Sequence, residues 1–334
     1  MTAVANPREP ERNDAGFTLI EMMVSITLLM IVSGTVMRGV LDLTRVSDVV
    51  TNRTDMHNGV RNATELLTQE VGQAGRIGLP VPATVSAATV AGTNTIVVDP
   101  AAAVAAMFVG EWLVLDAGQN LETVQIISIV GTTLTVARMS GTTQLPMAYD
   151  HAAGAPIRAT GGFAAGVIPN TDANGSSGTR LKIFGDINGD GSMVYVEYVC
   201  DVDPATNVGR LFRNTMPFTQ VGKPAPGVEE ILIDNVQTNP PNPDNTVTPC
   251  FTYQNEVVNG TTFVIDVAIT LTVRTMRNDP ITGEPQTETK ALLNVSPRNV
   301  YNVWQMASLN IANRVQPTPA TVLALLPDVY AVDQ

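Results

Sequence analysis

Gly16-Phe17-Thr18-Leu19-Ile20-Glu21 opens a run of Met, Val, Ile and Leu that continues to about Val36. Only Ser25, Thr27, Ser33, Gly34 and Thr35 interrupt Met22 to Val36, and none of them carries a charge. From Phe17 onward the run is long enough to cross a hydrocarbon core of about 30 Å as one helix. Glu21 is its solitary charged side chain. A carboxylate deep in lipid costs roughly 2.5–3.5 kcal/mol, so Glu21 demands a partner or a task.

Upstream of this stretch, residues 1–16 are polar, carry Pro7 and Pro10, and read as a removable leader. Downstream of Arg38 the pattern turns amphipathic. Val46, Val49, Val50, Met56, Val60, Ala63, Leu66, Leu67, Val71 and Ala74 recur at three- and four-residue spacing, against a polar face with Asp48, Arg53, Arg61, Glu65 and Glu70. Gly72, Gly75, Gly78 and Pro80 end it. The spacing predicts a stalk helix over residues 17–75, nearly ~90 Å long at ~1.5 Å per residue. Its first half is matched to lipid and its second half to a sheet. Gly34 and Gly39 are sites of either local melting or close helix packing.

Beyond the stalk the composition changes. Of the 334 residues only 15% are charged and 5% aromatic, with abundant Thr, Val, Gly, Pro and Asn. The expected fold class is therefore α+β, a long helix packed on an antiparallel sheet. Residues 81–160 read as an all-β insert, a small barrel of four to six strands. Its strands are Thr95 to Val98, Glu111 to Leu115, Thr123 to Val130 and Thr133 to Ala137. Residues 161–313 read as a β-sheet head. There Phe263, Ile265, Val267, Ile269, Leu271 and Val273 alternate with Val264, Asp266, Ala268, Thr270 and Thr272, and Thr287 to Val295 is expected to pair with that strand. Residues 314–334 form a tail with three prolines, open to packing on the head, packing on a neighbour, or disorder. A net charge of −12 argues against nucleic-acid binding through bulk charge.

Ala15-Gly16-Phe17-Thr18-Leu19-Ile20-Glu21 resembles the processing site of type IV prepilins and type II secretion pseudopilins. The resemblance implies cleavage by a prepilin peptidase between Gly16 and Phe17, N-methylation of Phe17, and pairing of Glu21 with the terminal amine of a neighbouring subunit. It also implies a single-pass protein of the bacterial inner membrane, its head periplasmic, that later reaches the cell surface in a pilus. The order of the later motifs is similar to PilW-like minor pilins and J-type pseudopilins. These are Val194-Tyr195-Val196-Glu197-Tyr198, Gly209-Arg210-Leu211-Phe212-Arg213, Asp234-Asn235-Val236 before Phe251-Thr252-Tyr253, and Ser296-Pro297-Arg298-Asn299-Val300. Residues 81–160 depart from that pattern.

Two cysteines, Cys200 and Cys250, would lie outside the cytoplasm, where one disulfide is favoured over two buried thiols. Asp186-Ile187-Asn188-Gly189-Asp190-Gly191, with Ser192 and then Glu197, fits a calcium-loop template of alternating oxygen ligands around a Gly bend. Glu197 falls in a β-branched, aromatic run and so on a strand, which leaves its reach to a Ca²⁺ ion open. The other reading is a hairpin turn built on Asn-Gly and Asp-Gly. His151 reads as a turn residue. Two histidines, no Gly-x-Ser-x-Gly and no metal-ligand cluster leave no catalytic residues to name, and the chain reads as non-enzymatic. The functions in view are a minor pilin that primes assembly or sits at a tip, a J-like pseudopilin, and a membrane-tethered adhesin using the insert. Other pilins or pseudopilins are the expected partners.

Overall fold

The computed structural model describes residues 16, 18–280 and 282–331. Helix α1 runs over Leu19–Gln73, 55 residues and about 80 Å. It passes through Gly34 and Gly39 without a break. Every described residue from Thr18 to Asp48 is exposed, whereas Met56, Val60, Ala63, Leu67 and Val71 are buried. Burial thus begins about ten residues later than the amphipathic pattern from Val46 implies: Val46 and Val50 face solvent. Ala74 leaves the helical conformation and Gly75 follows at φ +81. A Cβ on Gly75 would lie 2.8 Å from a Val300 methyl and 3.0 Å from the Phe163 carbonyl, so glycine alone lets the chain turn out here.

The chain then forms a closed six-stranded antiparallel barrel. Strands β1 (Ala83–Val85), β2 (Thr95–Asp99), β3 (Trp112–Leu115), β4 (Glu122–Val130), β5 (Thr133–Ser140) and β7 (Pro156–Ala159) pair in the cycle β1-β2-β5-β4-β3-β7. A short strand β6 (Thr143–Leu145) hangs from β5, and a four-residue helix α2 (Ala101–Val104) follows β2. The barrel has its own core, in which Val85, Ile96, Leu113, Leu115, Val124, Ile126, Leu134 and Val136 alternate inward. The β1, β6 and β7 segments are three or four residues each, too short to show a period in the sequence.

After β8 (Gly162–Phe163), the head sheet follows the order β13-β14-β12-β11-β10-β9, with β15 on the other side of β14. Its strands are β9 (Arg180–Gly185), β10 (Val194–Asp203), β11 (Val208–Pro217), β12 (Ile231–Gln237), β13 (Phe251–Val258), β14 (Thr261–Arg274) and β15 (Thr287–Val295). The pairing of β14 with β15 is the expected one, but the alternation along β14 is not unbroken. A register shift leaves Ile265 unpaired between Asp266 and Val264. The bulge reverses the phase. Val264, Val267, Ile269, Leu271 and Val273 join Leu67 and Val71 of α1, while Phe263 and Ile265 turn to helix α3 (Arg298–Ser308).

The C-terminal segment packs on the head. Strand β16 (Val315–Gln316) lies parallel to β8, and helix α4 (Ala320–Leu325) places Val322, Leu325 and Leu326 beside Phe163, Phe184, Tyr195 and Phe108. Phe108 belongs to the barrel segment, so this cluster joins barrel, sheet and tail. The head sheet is thereby covered on one face by α1 and on the other by α3 and the tail.

Candidate assembly site

The N-terminal end of α1 is closed by a capping box. The Thr18 amide and hydroxyl each donate to Glu21 Oε2 at 3.0 Å, and the Glu21 amide donates to Thr18 Oγ1 at 3.4 Å. In the isolated chain Glu21 therefore caps its own helix, and pairing with a neighbour's amine has to share or replace those bonds. Gly16 is exposed; Phe17 and residues 1–15 lie outside the described residues. The helix from Leu19 onward has the length and composition to cross a membrane.

The other end of α1 is fixed to the sheet by a group placed by its sequence on the polar face. Glu70 is buried, 4% exposed. It accepts from Arg213 NH2 at 2.5 Å and Nε at 3.0 Å, and from the Tyr198 hydroxyl at 2.5 Å. Burial, and the Glu70 charge after it, push the Tyr198 phenol well above its ordinary value. The signal for this was present: Met56, Val60, Ala63, Leu67, Glu70 and Ala74 follow one stripe in steps of four and three. The open carbonyls at the C-terminal end of α1 are met by Asn299, whose amide donates to the Gln73 carbonyl at 3.0 Å.

Of the residues in the calcium template, the structure separates Glu197 from the rest. Glu197 is fully buried between Lys223 Nζ at 2.6 Å and Arg180 NH1 at 2.6 Å. Its strand position turns it to the face under the tail. Asp186 is also buried, and its nearest cation is Arg76, with Nε 3.4 Å from Oδ2. Asp190 Oδ1 accepts from the Ser192 amide at 2.8 Å, as a tight turn requires. Asn188 stays exposed beside it. Among the described residues no three His, Cys, Asp or Glu side chains converge as a metal site would need.

The Glu197 ion pairs belong instead to the seat of the tail. Lys182, fully buried, donates to Asp328 Oδ1 at 2.7 Å and to the Leu326 carbonyl at 2.7 Å. Arg180 donates to the Tyr330 hydroxyl at 2.8 Å, and the Ala331 amide to the Lys223 carbonyl at 2.7 Å. Burial works against the Asp328 charge, but Lys182, Arg180 and Lys223 hold its carboxyl below the usual range. Cys200 and Cys250 form a disulfide. His151, expected in a turn, sits in a β-bridge with Thr89 and is buried, its Nε2 2.7 Å from Glu122 and its Nδ1 3.2 Å from Asp116. It ties the barrel's loops together.

Residues 12–37 match the family model of the prokaryotic N-terminal methylation motif. No curated protein and no solved structure matches the chain. The motif, the apolar helix behind it and the β-rich head together support a type IV pilin-like or pseudopilin-like protein; the motif implies processing by a prepilin peptidase, and the helix is consistent with membrane anchoring.

Proposed function

We propose that this chain is a minor pilin of the PilW-like kind, a non-enzymatic filament subunit that primes assembly or sits at the tip of a type IV pilus. One observation carries the reading. Residues 19–48 of α1, the half that holds the apolar run, are exposed along their whole length, while the same helix from Met56 onward is clamped to the sheet. A helix apolar all round is stable only in lipid or among other helices. Held first in the inner membrane, that segment would enter a filament core by packing against neighbouring stalks, with Glu21 meeting the amine of an adjacent Phe17.

The barrel favours an end position over a repeated one. It is attached at the C-terminal end of α1, farthest along the stalk from the membrane segment, and adds a body of about 80 residues there. Filaments sheared from cells and analysed by mass spectrometry test the assignment. A mature chain beginning at methylated Phe17, present in far fewer copies than the main subunit, is the expected result. An intact leader on a chain that never leaves the membrane contradicts it. Recovery only from a secretion machine's membrane complex, never from surface filaments, would assign the chain to the J-type pseudopilins.

A further inference from the structure

Where the barrel meets the head, a groove of about 520 Å³ opens between β3 and β4 of the barrel, the turn before β14, and the start of the tail. Its size and its place between two packed bodies are those of small-molecule sites. Trp112, half-buried, lines it. Gln125 stands opposite Trp112 in the β3–β4 register and donates its amide to the Gly110 carbonyl at 2.8 Å, which orients the side chain. Asp172, Thr261, Thr262 and Thr318 complete the polar wall, and among the described residues no Lys or Arg lines the groove.

Trp112 is held rigidly. Gln316, 2% exposed, uses its side-chain amide as a substitute strand: Oε1 accepts from the Trp112 amide at 2.9 Å, and Nε2 donates to the Trp112 carbonyl at 2.9 Å and the Thr160 carbonyl at 2.6 Å. Gly110 lies so close to the tail that an added Cβ would sit 3.2 Å from Pro317. The strand that carries Trp112 is therefore fixed before any ligand arrives, which lowers the entropic cost of binding.

We propose that this groove is a binding site for a neutral sugar, a mono- or disaccharide unit of a surface glycan. An indole presents a large apolar face with a negative quadrupole, suited to the polarised C–H face of a pyranose ring. Hydroxyls are donors and acceptors at once and need both kinds of partner. A carboxylate, a side-chain amide and three threonine hydroxyls supply that mixture, and the absence of lysine and arginine from the wall disfavours phosphate or other anions. The proposal does not depend on whether the chain enters a pilus or a pseudopilus.

The test uses the full chain in a sugar-free detergent, since glycoside detergents would compete. Lactose, maltose and N,N′-diacetylchitobiose are the probes, read by saturation-transfer NMR in every variant and, where Trp112 is retained, also by titration of tryptophan fluorescence in a Trp304→Phe background. Binding of at least one of the three is expected, weakened at least ~10-fold by Trp112→Ala and by no more than ~3-fold by Trp112→Phe, with circular dichroism unchanged. Should Trp112→Ala fail to fold, Asp172→Ala and Thr261→Ala carry the same test, each expected to weaken binding at least ~3-fold. Binding of none of the three probes, or binding unchanged in these variants, overturns the proposal.

Discussion

The two halves of α1 are one continuous helix with opposite fates. Residues 19–48 are the more apolar and are bare; residues 56–73 are the more polar and bury one face on the sheet. Hydrophobicity alone would assign them the other way round. The difference shows that burial in this molecule follows the available partner: the sheet offers a complementary surface to the second half only, and the first half is complementary to something outside the chain.

Removing Glu21, the one acid in the apolar run that ends at Val36, should give the largest effect. Glu21→Ala is expected to cut incorporation into filaments at least ~10-fold while leaving the melting temperature of the head unchanged. Thr18→Ala, which removes only the cap hydroxyl at a typical cost of about 1 kcal/mol, should fall well short of that. Equal losses in the two variants would reduce Glu21 to a helix cap and erase the functional contrast between the halves.

In the buried half the counterpart is Glu70. Glu70→Ala leaves the half-buried Arg213 guanidinium and the buried Tyr198 hydroxyl without their acceptor, and breaking such a pair costs up to about 3–5 kcal/mol. Chemical denaturation should show that loss, with membrane insertion unaffected. A change under ~1 kcal/mol would mean that apolar packing alone holds the stalk. Reducing the Cys200–Cys250 disulfide, or replacing it by Cys200→Ser with Cys250→Ser, should cost about 2–5 kcal/mol in the same measurement. The cross-link closes the sheet on which the buried half rests, and again the bare half should not respond.

A smaller effect tests the junction beyond the end of α1. Glu111 is fully buried just before β3, and burial pushes its carboxyl up to about 8, partly opposed by the Phe108 amide. The unfolded chain loses that proton near 4.5, so across this window the folded form binds more protons and stability falls as pH rises. The contribution is complete at the acidic end and gone above about 8. Glu111→Gln should flatten the slope in a pH series of melting curves; an unchanged slope would assign it to other groups. The mildest prediction concerns the Asp186 loop: any heat of calcium binding to the full chain should survive Glu197→Gln, because that carboxylate holds Lys223. Loss of the heat in that variant would return Glu197 to the loop.

Much of this architecture is legible in the residues because it rests on local patterns. A charge-free run of this length, a capping Thr three residues before Glu21, the short β-branched run of β2 and the alternation along β4 and β15 each announce a helix or strand without help from elsewhere in the chain. The bulge at Ile265, the burial of Glu70, the departure of Glu197 from its apparent loop and the seat of the tail on Arg180, Lys182 and Lys223 were settled by contacts between residues far apart in sequence. Periodicity tells which side chains share a face. It does not tell which charge waits on the opposing surface, and a buried charge is stable only where its partner stands.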